Sequence, residues 1–306
     1  MRVLAALGGN ALLRRGQALT AENQRQNVRA AAVALAAIVQ AGHDLVVTHG
    51  NGPQVGLLAL QGAAYKPDEM YPLDVMGAET EGMIGYLIEQ ELENALGHDR
   101  PVATLLTQVL VNADDPAFAT PTKFVGPVYD KAEAESLSRA RGWQIAQDGD
   151  RWRRVVASPA PQDIPDLNVI RLLVDCGVIV ICAGGCGIPV VRGSDGSLTG
   201  VEAVVDKDAA SALLANQLGV DAMLLLTDVD GIQRNFDTDQ ATRLALLTPA
   251  RARQLDLPAG SMKPKAVAAA DFASGGSGRM AGIGQLSDAV AILERTAGTV
   301  IAGAPD

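Results

Sequence analysis

The sequence predicts an α/β protein whose mainly parallel sheet is covered by helices on both faces. Three observations predict it. Short runs that are apolar throughout alternate with longer segments of helical periodicity. The segments between successive apolar runs are long enough for parallel crossovers. Several of those runs end in glycine-containing loops, as strands delivering loops to one edge of a sheet would.

The first apolar run, residues 3–7, is too short for a helix and meets Gly8-Gly9-Asn10, so it reads as a buried strand entering a turn. Over residues 20–41 the pattern turns helical, with Val28, Ala32, Leu35 and Val39 on one face, Thr20 as N-cap and Gly42 just past the end. Residues 45–48 form a second strand, followed by His49-Gly50-Asn51-Gly52-Pro53. A helix over residues 79–96 carries Ile84, Leu87, Ile88 and Leu92 on one side, and one strand is expected over 102–111. Residues 178–183 and 222–227 are further buried strands, with a helix over 204–218 between them.

One stretch breaks the alternation. Residues 114–162 are rich in proline and charge and hold both tryptophans, Trp143 and Trp152. Asp148-Gly149, flanked by residues 144–146 and 152–156, is a hairpin signal, because such a turn needs φ > 0. The expectation is one domain over 1–306, with an inserted, protruding β-hairpin subdomain at 114–162 that caps a site.

A chain of 306 residues with 48% hydrophobic and 20% charged composition can bury one large core and is too apolar to be disordered. Its 35 acidic against 25 basic residues give a net charge of −10, which repels a phosphate backbone or an anionic membrane, so neither is expected as a partner. The longest unbroken apolar stretch, residues 30–39, is about half of what a bilayer requires. A soluble cytoplasmic protein is expected.

Cys176, Cys182 and Cys186 are odd in number and show no C-x-x-C spacing, against a disulfide framework or a metal site. Cys176 and Cys182 read as small buried apolar residues. His43, His49 and His98 leave few candidates for a histidine base, which directs attention to lysines, carboxylates and backbone amides.

In an open parallel sheet, ligands bind beyond the carboxyl ends of the strands. Four such ends carry small or polar residues: Gly8-Gly9-Asn10, Gly50-Asn51-Gly52, Gly184-Gly185-Cys186-Gly187 and Asp228-Val229-Asp230-Gly231. Glycine lets backbone approach an anion closely, and successive N–H groups can cradle it. The standard nucleotide fingerprints are absent: no G-x-x-x-x-G-K-[ST] occurs, and the first loop is not G-x-G-x-x-G. Residues 276–281 fit the looser dinucleotide spacing but follow an alanine-rich helical run, and Gly193-Ser194-Asp195-Gly196 reads as a turn rather than a nucleophile elbow.

Six lysines stand against nineteen arginines. A lysine retained in such a chain suits a compact point charge on a phosphoryl oxygen. Lys207 lies in Asp206-Lys207-Asp208 just before a helical run, and Lys265 follows Gly260-Ser261-Met262-Lys263-Pro264 at another helix start. There a helix N-terminus adds positive potential; ordinary surface ion pairs are the alternative. Asp208 could orient the lysines or a hydrated Mg²⁺. Phosphoryl transfer suits this inventory, since it needs positioning and charge neutralisation rather than a protein nucleophile.

Ala6-Leu7-Gly8-Gly9-Asn10-Ala11-Leu12, Thr48-His49-Gly50-Asn51-Gly52-Pro53-Gln54-Val55-Gly56, Val204-Val205-Asp206-Lys207-Asp208, Leu226-Thr227-Asp228-Val229-Asp230-Gly231 and Gly260-Ser261-Met262 stand in that order. Together they resemble the carbamate kinases of the amino acid kinase superfamily. The likeness runs from residue 3 to 301 and includes Asn112-Ala113-Asp114-Asp115-Pro116-Ala117-Phe118 and Pro121-Thr122-Lys123 in the insertion. It implies a three-layer αβα sandwich, a homodimer, and reversible phosphoryl transfer between ATP and carbamate, giving ADP and carbamoyl phosphate and often run toward ATP. By position, Gly8, Gly9, Asn10, Gly50, Asn51 and Gly52 would hold carbamate and the transferred group through backbone amides. Lys207 and Lys265 would neutralise its charge, Asp208 would hold both lysines, and the lid would bring Lys123 over carbamoyl phosphate. Thr227, Asp228 and Met262, with Asp206, would form the nucleotide pocket of a lobe over 204–306, and Mg²⁺ would arrive on the nucleotide without a direct protein ligand.

The sequence departs from the family pattern at four places. Cys186 stands at a usual glycine, which implies either a narrowed loop or an oxidisable, low-pKa thiol. Gln233 replaces a nucleotide-side tyrosine, Lys263 a glycine and Phe124 a proline; these bear on ADP affinity and lid geometry, not on the reaction class. Two other readings compete. A sister kinase for an amino acid carboxylate, a nucleoside monophosphate or a phosphonate would need a wider pocket. A silent nucleotide-binding regulator would not need Lys207, Asp208 and Lys265 together. A nicotinamide dehydrogenase is disfavoured by the missing fingerprint and the lack of a placed histidine.

Overall fold

The computed structural model describes residues 1–303 apart from 15, 67, 68, 237, 239 and 259. Strand β1 (Arg2–Leu7) passes through the single turn α1 (Gly9–Leu12) to α2 (Ala21–Gln40), which returns the chain to β2 (Asp44–His49). Helix α2 starts and stops where its sequence signals lie. Thr20 Oγ1 accepts the N–H of Asn23 at 3.2 Å, and Gly42 takes a φ of +85° that a side chain would resist. β1 and β2 pair in parallel from Arg2–Asp44 to Leu7–His49.

Next come α3 (Gly52–Tyr65) and α4 (Leu73–Leu96). Helix α4 starts at Leu73, earlier than the expected 79, because a distant carboxylate serves its first turn: Glu202 Oε1 accepts the N–H of Leu73 at 2.7 Å. No local capping residue announces that start.

The single strand expected over 102–111 is two, β3 (Val102–Thr104) and β4 (Gln108–Val111), in different sheets. Thr107 turns the chain between them. Its hydroxyl donates to Leu105 O at 3.0 Å and accepts from Ala183 N at 2.9 Å, while its N–H donates to Glu81 Oε2 at 3.0 Å. An unbroken apolar pattern does not reveal where a strand changes sheets.

The inserted stretch is more than a hairpin. β5 (Lys123–Tyr129) and α5 (Lys131–Arg141) precede the hairpin of β6 (Gln144–Asp148) and β7 (Arg151–Val156), and the strands form a small sheet ordered β5-β7-β6. Gly149, at φ +65°, makes the turn.

Beyond it lie β8 (Pro161–Asp163), α6 (Leu167–Asp175), β9 (Ile179–Ile181), β10 (Ile188–Arg192), β11 (Leu198–Gly200), α7 (Lys207–Leu218) and β12 (Ala222–Thr227). Helix α7 begins at Lys207 and not at 204, because Asp206 caps it. β10 and β11 form a hairpin across residues 193–197, as the turn reading required. The chain ends through β13 (Gln233–Arg234), β14 (Thr242–Arg243), β15 (Leu246–Leu247), α8 (Pro249–Gln254), α9 (Met262–Ser274), β16 (Met280–Gln285), α10 (Ala289–Leu293) and β17 (Thr299–Ala302).

The main sheet has eight strands in the order β15-β17-β16-β12-β1-β2-β9-β3, parallel except for the β16–β17 pair. Alternate residues of its central strands feed two cores. Leu4, Ala6, Val46, Val180 and Leu225 pack against α6, α7 and α9, whereas Val3, Ala5, Leu7, Leu45, Val47 and Leu224 pack against α2, α4 and α10. The result is a three-layer αβα sandwich.

Candidate active site

Because β12, β1, β2 and β9 are parallel neighbours, their carboxyl ends lie along one edge of the sheet. The loops that follow them meet there around a cavity of about 490 Å³. That size suits a small-molecule ligand. Its lining includes Gly8, Gly9, Gly50, Asn51, Gly52, Lys123, Asp206, Lys207, Asp208, Thr227, Asp228, Met262 and Lys265, residues that span most of the chain. Asn10 falls within α1, but its side chain lies outside the described residues.

The charged floor is built by α7 and α9, which pack together and bring Lys265 to the start of α7. Lys207 Nζ donates to Asp208 Oδ1 at 2.5 Å and Lys265 Nζ to Asp208 Oδ2 at 2.9 Å. One carboxylate thus orients two ammonium groups. The side chain of Asp208 is 5% exposed and those of Lys207 and Lys265 only 11% and 14%, so this is a desolvated cluster and not a surface ion pair. Burial by itself would raise the Asp208 carboxyl, but the adjacent ammoniums of Lys207 and Lys265 outweigh it and hold the pKa at about 2. At neutral pH the cluster carries one surplus positive charge at the N-terminus of α7, which suits an anion.

A second contact faces the same cavity from the small sheet. Lys123, the first residue of β5, donates to Asp206 Oδ2 at 3.3 Å, with side-chain exposures of 39% and 33%. Burial lowers the affinity of Lys123 for its proton, but the acidic groups around it, Asp206 foremost, together outweigh this and the pKa is raised. Asp206 Oδ1 accepts the N–H groups of Asp208 and Ala209 at 3.0 and 3.2 Å. This residue therefore caps α7 and anchors Lys123 at once.

The glycine loops contribute in two ways. The N–H groups of Gly8 and Gly50 are already spent on Leu226 O and Leu7 O, at 3.0 and 3.2 Å, so these residues offer close approach and not donors. The amides of Gly9, Asn51 and Gly52 lie at the starts of α1 and α3, where intrahelical acceptors are lacking. The Asn51 side chain is used internally, its Nδ2 donating to Thr80 Oγ1 at 2.7 Å.

Beneath the Gly184–Gly187 loop lies a buried polar cluster that the sequence reading missed. Glu81, 1% exposed, accepts from Thr107 N, while its Oε1 has no hydrogen-bond partner among the described residues. Burial raises its pKa well above the usual carboxylate value, so the group favours its neutral form. Buried His49 contacts Gly50 O through Nδ1 at 3.1 Å, and burial lowers its pKa to about 4. It is neutral at physiological pH. The available signal was a carboxylate three residues from Ile84 on the apolar stripe of α4.

The cysteines and the sequence departures resolve individually. Cys182 is buried, but Cys176 is exposed and not part of the core, because it caps α6 at its surface end. Cys186 is buried on the cavity wall, and burial pushes its thiol up to about 12, which excludes the low-pKa thiol. Gln233 and Phe124 also line the cavity, and Gln233 Nε2 donates to Asp230 Oδ1 at 3.0 Å. Lys263 points elsewhere: its Nζ donates to Arg253 O and Leu255 O, at 2.7 and 2.8 Å, tying α9 to the end of α8.

Comparison with known proteins shows likeness over nearly the whole chain. The sequence profile of the amino acid kinase family matches residues 1–281. The chain is 54% identical over 303 residues to a carbamate kinase of Rhizobium meliloti, covering 98% of this chain and 93% of that one. It is 52% identical over 301 residues to a carbamate kinase of Haemophilus influenzae, covering 98% and 96%. Among solved structures, a carbamate kinase from Giardia lamblia bound to AMP-PNP superposes with a TM-score of 0.92 at 38% identity, covering 99% of this chain and 98% of that one.

Proposed function

We infer the reaction from a single premise: the chain belongs to the amino acid kinase family and, within it, to the carbamate kinases. It moves a phosphoryl group reversibly between ATP and carbamate, forming ADP and carbamoyl phosphate. The observation that carries this reading is the buried Asp208 holding Lys207 and Lys265 together at the floor of a cavity bounded by glycine loops.

In this reading the two ammonium groups face the transferring phosphoryl and stabilise the charge on its equatorial oxygens. Asp208 touches neither reactant; it fixes both lysines before substrate arrives, so little reorganisation is left for the reaction itself. Carbamate attacks through an oxygen that is already ionised. The protein therefore needs no general base, in keeping with a neutral, buried His49. The amides of Gly9, Asn51 and Gly52 hold the small acceptor, Thr227, Asp228 and Met262 hold the nucleotide, and Lys123 covers the acyl phosphate. The 114–162 segment is then a lid.

Mg²⁺ fits as part of the nucleotide. Both oxygens of Asp208 are engaged by lysines, and both oxygens of Asp206 are engaged by Lys123 and the α7 amides. Among the described residues no group of three or more His, Cys, Asp or Glu is placed to cage a metal. Phosphate oxygens and water would hold the ion, and it would supply charge neutralisation on the phosphates. A homodimer and a cytoplasmic location complete the proposal. Exposed Leu60, Tyr65, Tyr71, Tyr86 and Leu106 support a pair, since they lie on or beside α3, α4 and β3, elements that pack together.

The test is ATP formation from Mg-ADP and carbamoyl phosphate, run beside acetyl phosphate and an enzyme-free control. ATP formation with carbamoyl phosphate well above acetyl phosphate is the expected result. Binding of ADP without any ATP formation would point to another acceptor or to a silent regulator.

A further inference from the structure

The loop after β9 runs Gly184-Gly185-Cys186-Gly187; Cys186 lines the cavity, and the other three are glycines for a steric reason. A Cβ on Gly184 would collide with His49 Nε2, one on Gly185 with the Asn51 side chain, and one on Gly187 with Val109. The fourth residue, Cys186, carries a side chain although its φ is +86°, a left-handed conformation that is costly for anything but glycine. The residue is buried, lines the cavity together with Lys123, Asp206, Lys207 and Asp208, and is close enough to interact electrostatically with all four. The thiol stays protonated, so what it brings to the cavity is bulk rather than charge or nucleophilicity.

Resting on the carbamate reading above, we propose that Cys186 is a specificity-determining residue: its side chain takes up space at the acceptor end of the cavity and adds to the discrimination against acyl phosphates larger than carbamoyl. The carbamoyl and acetyl groups have the same number of heavy atoms, and propionyl has one carbon more. Glycine at 186 would suit the backbone better and would return the space of Cβ and Sγ to the acceptor. Retaining a side chain there sharpens the discrimination against larger acyl groups at the expense of backbone comfort.

The experiment measures kcat/KM for ATP formation from Mg-ADP with carbamoyl, acetyl and propionyl phosphate, each phosphoryl passing to ADP and leaving the free carboxylate. It compares the unmodified protein with Cys186→Gly and Cys186→Ala. In Cys186→Gly the propionyl-to-carbamoyl ratio is expected to rise about tenfold, the discrimination one methylene ordinarily commands, with a smaller rise in Cys186→Ala. The acetyl-to-carbamoyl ratio should move by less than about twofold in both. A purely structural role would change all three substrates together and leave the ratios where they were. Propionyl ratios within about twofold of the unmodified protein in both variants overturn the proposal. If the unmodified protein forms no ATP from carbamoyl phosphate, the reaction assignment fails first and this inference falls with it.

Discussion

Two lysine–aspartate contacts face one cavity, and they are built in opposite ways. Lys207 and Lys265 share Asp208 in a desolvated cluster fixed by α7 and α9 against the main sheet. Lys123 and Asp206 meet across a longer, half-exposed contact, with the lysine carried on the small sheet. Charge held in a low-dielectric floor acts strongly on a developing transition state, whereas charge at a wet rim is screened and acts mainly on encounter and capture. Under the proposed reaction, this difference predicts that the floor governs turnover and the cover governs acyl-phosphate affinity.

The sharpest way to break that division is Lys265→Ala. Turnover is expected to fall about a thousandfold, the scale of removing one preorganised charge from a transition state. Far-ultraviolet circular dichroism should show the fold retained. Near-normal kcat would end the assignment of the floor to catalysis.

The floor also depends on the loop beneath it. In Gly184→Ala the new Cβ must displace both His49, whose Nε2 lies 2.4 Å from its ideal position, and Glu81, whose Cγ lies 2.9 Å from it. Urea denaturation should show a loss of about 1–3 kcal/mol, the usual penalty for overpacking. An unchanged midpoint would mean the loop adapts and is not a rigid support.

On the cover side, Lys123→Ala should raise the KM for carbamoyl phosphate about tenfold, or about 1.4 kcal/mol, with a smaller effect on ADP and on kcat. Added KCl should raise the KM of the unmodified protein and should matter less in the variant, since half-exposed charge is screened. A kcat loss as large as that of Lys265→Ala would erase the distinction between floor and cover.

The smallest expected effect concerns Glu81. Burial raises its folded pKa above the ordinary 4.5, so the stabilisation it provides is complete below about that pH and is lost as pH rises through the raised value. Glutamine does not titrate. Glu81→Gln should therefore gain stability over the unmodified protein by about 1 kcal/mol at pH 8 and by less at pH 5, read from thermal midpoints. A gain that is equal at both pH values would show that Glu81 is not held neutral.

Much of this was legible in the residues themselves. Apolar runs at β1, β2 and β12 and the capped periodicity of α2 announced parallel strands with helical crossovers, because burial on both faces leaves no polar alternation in such strands. The scarcity of lysine, with Lys207 and Lys265 at helix starts, singled out both floor cations before any geometry was known. Spacing along the chain could not say that one carboxylate serves both lysines, since Lys265 lies 57 residues from Asp208 and reaches it only through the packing of α7 on α9. Nor could it say that Glu202 starts α4, that Thr107 moves the chain between sheets, or that Glu81 underlies the glycine loop. Local patterns report what a segment does with its own backbone and with water. Which distant polar groups satisfy one another, and which side chain occupies the space beside a strained residue such as Cys186, is set by how the layers close.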